Sequence, residues 1–145
     1  MNIIIIGATS GIGYVLVKKY AVPGNTIGIL GRRRTILKEL EESYPSNVIT
    51  CAADISRQEE MSKAVRYFQS QIQTIDIVIL CSGIGELNTS LDFNIEYPTL
   101  LTNVVGWTHV IDAFYNILNH QGFGHLVAIT SIEGLRGEPQ APAYS

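Results

Sequence analysis

Gly7, Gly11 and Gly13 follow directly on four isoleucines, Ile3 to Ile6, and lead into Tyr14 to Tyr20, which reads as a helix. Four β-branched apolar residues in a row suit a central parallel strand buried on both faces. A buried strand, a glycine turn and a helix start together make an anion site. The first N–H groups of a helix have no partner inside it, and the positive end of its dipole lies there. A diphosphate fits such a site. In that reading Gly7 turns the chain out of the strand. Gly11 brings backbone close to phosphate without a β-carbon, and Gly13 lets the helix pack on the strand. Thr9, Ser10 and Ile12 complete the loop. The spacing is G-x-x-x-G-x-G rather than G-x-G-x-x-G. Read alone, it is also compatible with a glycine-rich turn that binds nothing.

A second group with chemical content is Gly31-Arg32-Arg33-Arg34, after the strand-like run Thr26 to Leu30. Cations are poorly placed at a helix start, so three in a row there point to an anion. In a doubly wound sheet this strand end meets an adenosine ribose. A carboxylate there would take the 2′-hydroxyl of NAD, and none is present. Arg32, with Arg33 beside it, suits the 2′-phosphate of NADP, so NADP is expected over NAD. The bland alternative is a solvated basic helix start. Asp54, followed by Ile55, is either a helix-start carboxylate beside Ser56 or a ligand contact.

A third group lies late in the chain, where Tyr144 stands 13 positions after Ser131. A phenol is a poor acid or base near pH 7, because its ordinary pKa is about 10. It needs a nearby cation before it can exchange protons with an alcohol or carbonyl. Taken singly, Ser131 reads as a turn serine and Tyr144 as a surface tyrosine. Asn103, flanked by Thr102 and Val104, is costly inside a helix unless its amide is bonded, and a backbone carbonyl is the plain partner.

The elements that must position these groups alternate along the whole chain. Strands are expected at Ile3–Ile6, Thr26–Leu30, Asn47–Cys51, Ile75–Leu80 and His125–Thr130. Helices are expected at Tyr14–Tyr20, Thr35–Tyr44, from Ser56 to about Ile72, and Tyr97–Leu118. Ser56 and Glu59 have capping-box spacing, and Pro98 suits the first turn of the last helix. Five βα alternations over residues 1–145 predict one domain, an α/β doubly wound parallel sheet of the Rossmann type. Right-handed crossovers favour strand order 3-2-1-4-5. The ligand crevice then lies at the carboxyl ends of the strands, between the first and the fourth. Gly7, Gly31, Asp54, Gly83 and Ser131 all fall at such ends.

With 145 residues the chain can bury a sizeable core. A net charge of −3 and no basic block make nucleic acid an unexpected partner. No apolar run approaches a membrane span, and the N-terminal apolar run is only a strand long. Cys51 and Cys81 lack C-x-x-C spacing and read as buried thiols in a reducing compartment, so a cytoplasmic location is expected.

Ile6-Gly7-Ala8-Thr9-Ser10-Gly11-Ile12-Gly13 resembles the T-G-x-x-x-G-I-G loop of the short-chain dehydrogenase/reductase family, with Ile6 for the usual Thr. Thr102-Asn103-Val104-Val105-Gly106 is similar to its N-V-x-G helix motif. Gly124 to Ser131 is similar to its G-x-I-V-x-I-S-S, and Tyr144 keeps the Ser-to-Tyr spacing. Leu80-Cys81-Ser82-Gly83 stands for the family's N-N-A-G, keeping Gly83 but neither asparagine. The resemblance implies that Ser82 and Gly83 lie beside the cofactor and that Asp54 contacts its adenine. It casts Asp76 as structural, Tyr144 as general acid/base and Ser131 as the holder of the substrate oxygen. It implies that Asn103 supports a proton relay. The family's tuning cation is a Lys four residues beyond the Tyr, which would be position 148. The chain thus resembles the N-terminal part of a family member, C-terminally incomplete.

For the complete parent, that implies NADP(H)-dependent chemistry on a small-molecule carbonyl/alcohol pair; for residues 1–145, little or no turnover is expected. A nucleotide-binding module or sensor without catalysis, and an interaction scaffold, remain as alternatives. A homo-oligomer is expected through the 97–118 helix or the open edge of the fifth strand.

Overall fold

The structure, a computed structural model, describes residues 1–145. Strands β1 (Asn2–Ile6), β2 (Thr26–Gly31), β3 (Val48–Ala52), β4 (Ile77–Leu80) and β5 (His125–Ala128) form one parallel sheet, in the order β3-β2-β1-β4-β5. Helices α1 (Gly11–Tyr20), α2 (Arg34–Ser43) and α3 (Gln58–Gln71) alternate with the first four strands, and α4 (Phe93–Leu100) and α5 (Trp107–Gln121) both lie between β4 and β5. The predicted sheet and its order are those observed.

The isoleucine run earns its central place by filling both faces at once. Ile4 and Ile6 join the cluster under α3 and α5, with Phe68, Val78, Val110 and Phe114. Ile3 and Ile5 join the opposite cluster under α1 and α2, with Val17, Ile29, Leu37 and Leu40. All four isoleucines are fully buried. Each buried aliphatic or aromatic side chain of this kind contributes about 1.5–3 kcal/mol, so β1 anchors both halves of the core. At its start, Asn2 N donates to Asp76 Oδ2 at 2.7 Å, tying β1 to the chain entering β4. Asp76 has the structural role expected of it.

Two expectations are corrected. Ser56 and Glu59 do not form a capping box. The Ser56 hydroxyl donates instead to Asp54 Oδ1 at 2.7 Å, and α3 begins at Gln58. Glu60, not Glu59, reaches back, accepting from Asp54 N at 2.8 Å. The helix expected over Tyr97–Leu118 is longer and is broken. Asp92 caps α4 by accepting from Asn94 N, which starts the helix at Phe93 and leaves Pro98 inside it rather than in its first turn. A π-helical turn, Leu101–Gly106, follows this proline and leads into α5. Proline removes a helix hydrogen bond, and wide π turns of this kind often mark functional positions. Asn103 lies in that turn.

Candidate functional site

The end of β1 and the start of α1 are in contact without an intervening side chain. A β-carbon on Gly13 would lie 2.3 Å from Gly7 O, well inside any permitted contact. Gly7 itself has φ +89°, and a β-carbon there would lie 2.6 Å from Ser82 N at the end of β4. Both glycines are required by geometry. Tyr14 N is the first α1 amide with a partner, Ser10 O at 3.2 Å; the N–H groups from Thr9 to Gly13 donate to no protein acceptor. They form the unpartnered donor row that suits an oxyanion.

A cavity of about 260 Å³ covers this loop. Gly7, Thr9, Ser10, Gly11 and Ile12 line it from below, and Arg32 and Arg33 line it from the end of β2. Asp54 and Ile55 reach it after β3, and Ser82 and Gly83 after β4. These are the residues singled out in the sequence, with one difference: Gly13 is buried beneath the loop and does not line the cavity. Arg33 Nη1 donates to Thr9 O at 3.2 Å, so the arginine run and the glycine loop are joined.

Arg32 Nη1 lies 3.7 Å from Asp54 Oδ2. Asp54 Oδ1 also accepts from Ser56 N at 3.0 Å and from the Ser56 hydroxyl. Partial burial by itself would raise the Asp54 carboxyl. The two Ser56 hydrogen bonds and the Arg32 and Arg57 charges outweigh that and hold it below the usual carboxylate range.

A second, open cavity of about 640 Å³ adjoins the first, and Ile12, Cys81, Ser82, Gly83 and Ile84 line both. Asn103, Ser131 and Tyr144 all line this larger space. The Ser131 hydroxyl oxygen accepts from Glu133 N at 3.2 Å. Tyr144, in the 3-10 turn Pro142–Tyr144, lays its ring against the Gly85 backbone. Asn103 Nδ2 donates to Ile84 O at 2.7 Å, and its Oδ1 accepts from Ile84 N at 3.0 Å. That satisfies the asparagine with backbone, as a helix interior demands. No lysine or arginine lines this cavity.

The cysteines are free and half-buried, and burial pushes both thiols up, which keeps them protonated and poor nucleophiles. No group of three His, Cys, Asp or Glu side chains is placed to hold a metal, and no helix is long and apolar enough to cross a membrane.

Sequence reasoning missed Ile84 and Trp107. Trp107 Nε1 donates to Ser82 O at 2.7 Å, fixing the cavity wall after β4. Its only signal was a lone indole just past the Asn103 motif. Ile84 carried no signal, since its link to Asn103 is through backbone.

The Asp54 network predicts an acid-linked loss of stability. Its carboxyl is held low when folded, so its contribution is complete above the ordinary value of about 4 and is lost as pH falls through the folded value. Melting temperature followed from neutral pH into acid should therefore fall more steeply for the wild type than for Asp54→Asn. Parallel curves would contradict the network.

The sequence profile described as short chain dehydrogenase matches residues 1–145. An uncharacterized oxidoreductase of Mycobacterium tuberculosis is 32% identical over 149 aligned positions, covering 98% of this chain and 59% of that protein. A crystal structure of a 3-ketoacyl-ACP reductase from Sinorhizobium meliloti superposes with a TM-score of 0.90 at 31% identity, covering 99% of this chain and 60% of the other. That of an NAD+-bound xylitol dehydrogenase superposes with a TM-score of 0.91 at 23% identity, covering 99% and 57%, which is a likeness of fold. The chain thus spans little more than half the length of these proteins. With the profile matched end to end and the glycine loop at its expected place on β1, the chain belongs to the short-chain dehydrogenase family of oxidoreductases.

Proposed function

We propose that the whole protein carries out NADP(H)-dependent interconversion of a carbonyl and an alcohol on a small molecule. The observation that carries this reading is the continuity of two spaces. The loop from Thr9 to Ile12, with its unpartnered amides, and the Arg32–Arg33 pair border one, and Ser131 and Tyr144 border the other. A dinucleotide laid along the first would direct its far end into the second. The residues present fit that group: the loop offers donors for a diphosphate, the arginines suit a 2′-phosphate, and no side chain stands at Gly31 to accept from a ribose hydroxyl. When bound, its nicotinamide supplies or accepts hydride.

The other roles fall to the chain's own side chains. Tyr144 gives a proton to, or takes one from, the substrate oxygen through its hydroxyl. Ser131 holds that oxygen by a hydrogen bond. Asn103 steadies the Ile84 backbone in the cavity wall and so supports the proton relay. Asp54 has a double duty in this reading: it accepts from Ser56 at the start of the α3 connection and borders the adenine end of the cavity. We also propose self-association. Phe93, Tyr97, Val104 and Tyr115 are exposed along the stretch from α4 to α5. No membrane or nucleic-acid partner is proposed, and a cytoplasmic location is the one we propose.

For residues 1–145 taken alone, we propose nucleotide binding with little or no turnover. No cation lines the space that Tyr144 borders, and a phenol needs one beside it to exchange protons readily at neutral pH. A binding module without catalysis is the second reading, favoured by the same observation.

Titration of the wild type and of Arg32→Ala with NADP+ and NAD+ tests the cofactor assignment. NADP+ should bind the wild type more tightly than NAD+. Losing one charge-assisted contact should weaken NADP+ roughly tenfold or more and leave NAD+ nearly unchanged. Equal losses for both nucleotides, or no binding by the wild type, would contradict it. A panel of small ketones with NADPH tests the second part: residues 1–145 should show no appreciable turnover, and brisk reduction would overturn it.

A further inference from the structure

Tyr144 lies in a segment that no strand or long helix holds. After β5 the chain runs from Ser131 to Ser145 through two short 3-10 turns, Ile132–Gly134 and Pro142–Tyr144. Ile132 is 74% exposed and Leu135 90% exposed, so the start of this segment has little core to grip. Its hydrogen bonds are internal, with two exceptions. Asn88 N donates to Gln140 O at 2.6 Å, and Ala143 N donates to Glu96 Oε2 at 2.8 Å. Both end on one pair of side-chain-linked residues, because Asn88 Nδ2 donates to Glu96 Oε1.

That pair is built into the protein. Asn88 is 1% exposed. Its Oδ1 accepts from Asp92 N and its Nδ2 also donates to Asp92 O, each at 2.9 Å, which fixes it to the cap of α4. Glu96 lies in the first turn of α4, where the helix dipole favours a carboxylate. Each Glu96 oxygen takes one donor, from opposite sides: the loop before α4 and the segment after β5. Immediately beyond Ala143, the Tyr144 ring presses on the Gly85 backbone, so closely that a β-carbon there would come within 2.6 Å of Cδ2. Gly85, Glu86 and Leu87 on one side, and Glu138, Ala141 and Tyr144 on the other, are facing walls of the larger cavity.

We propose that Glu96, wired through Asn88, is the positioning residue for Tyr144: its carboxylate clamps the segment after β5 to the loop after β4 and so sets where the phenol stands in the cavity. The functional weight of this rests on the reading of Tyr144 as the proton-transfer group, since an error of about 1 Å in such a group is costly to rate. The clamp itself stands on geometry. It requires an acceptor at both ends of the Glu96 side chain, so an alanine in its place leaves both Asn88 Nδ2 and Ala143 N without that partner.

The test reads the segment directly by NMR on residues 1–145, without nucleotide or substrate. In Glu96→Ala, the Ala143 amide should exchange roughly tenfold faster or more, as for the loss of one charge-assisted hydrogen bond. The Gly85 resonances should lose the ring-current shift of the Tyr144 ring. Asn47→Ala serves as the control for general weakening, since it removes the Asn47 Nδ2 bonds to Val22 O and Asn25 O elsewhere. It should leave Ala143 and Gly85 as they are, even at a lowered melting temperature. Unchanged exchange and shift in Glu96→Ala, or the same changes in Asn47→Ala, would overturn the clamp. If the clamp readouts behave as expected while NADP+ fails to bind, the functional reading is lost and the clamp stands.

Discussion

Gly7 O and the Gly13 backbone meet with no room for a methyl group between them. This contact sets the start of α1 directly over the end of β1. Because the helix begins there, the amides from Thr9 to Gly13 are left without protein partners, and the loop from Thr9 to Ile12 borders a cavity. A buried donor without an acceptor is costly, so such a row persists only where water or an anion can reach it. The contact in turn depends on β1 being immobile. Ile3 to Ile6 achieve that by filling both layers of the core, with β2 and β4 paired on either side.

Around this contact the site is assembled from strand ends that arrive from different parts of the chain. The end of β2 brings Arg32 and Arg33, and Arg33 is bonded back to the loop through Thr9 O. The end of β4 brings Ser82, held by Trp107 from α5, and Ile84, held by Asn103 from the π turn. Asp54 couples to Arg32 across the mouth of the cavity, so the arginine run is not a loose basic tail. An incoming 2′-phosphate would compete with that carboxylate for Arg32. Arg33, which has no carboxylate partner within ion-pair distance, would be free of that competition.

Much of this could be read before any coordinates, and the reason differs from element to element. The sheet was legible because parallel strands buried on both faces are continuous apolar runs, and Ile3–Ile6, Thr26–Leu30 and the run ending at Leu80 are such runs. The glycine loop was legible because its spacing is set by backbone contacts that tolerate nothing larger. Helix starts were less so. Ser56 and Glu59 have the spacing of a capping box, yet the Ser56 hydroxyl donates to Asp54 instead of accepting from a helix N–H, and Glu60 accepts from Asp54 N. Pro98 looked like a first-turn residue, since proline is at home there. The cap at Asp92 was hidden in a polar loop with no apolar periodicity. The Asn88–Glu96 pair was invisible for a related reason: its partners, Gln140 and Ala143, contribute backbone atoms, and backbone partners leave no mark on residue type.

The central claim is that the row of free amides over β1 is a seat for the diphosphate of NADP. The most direct measurement is the backbone amide spectrum of the protein as NADP+ is added. The account predicts that the amides of Thr9 to Gly13 move furthest and saturate together, with smaller changes at Arg32 and Arg33. If those amides stayed where they are in water while the nucleotide bound elsewhere or not at all, the account would be contradicted.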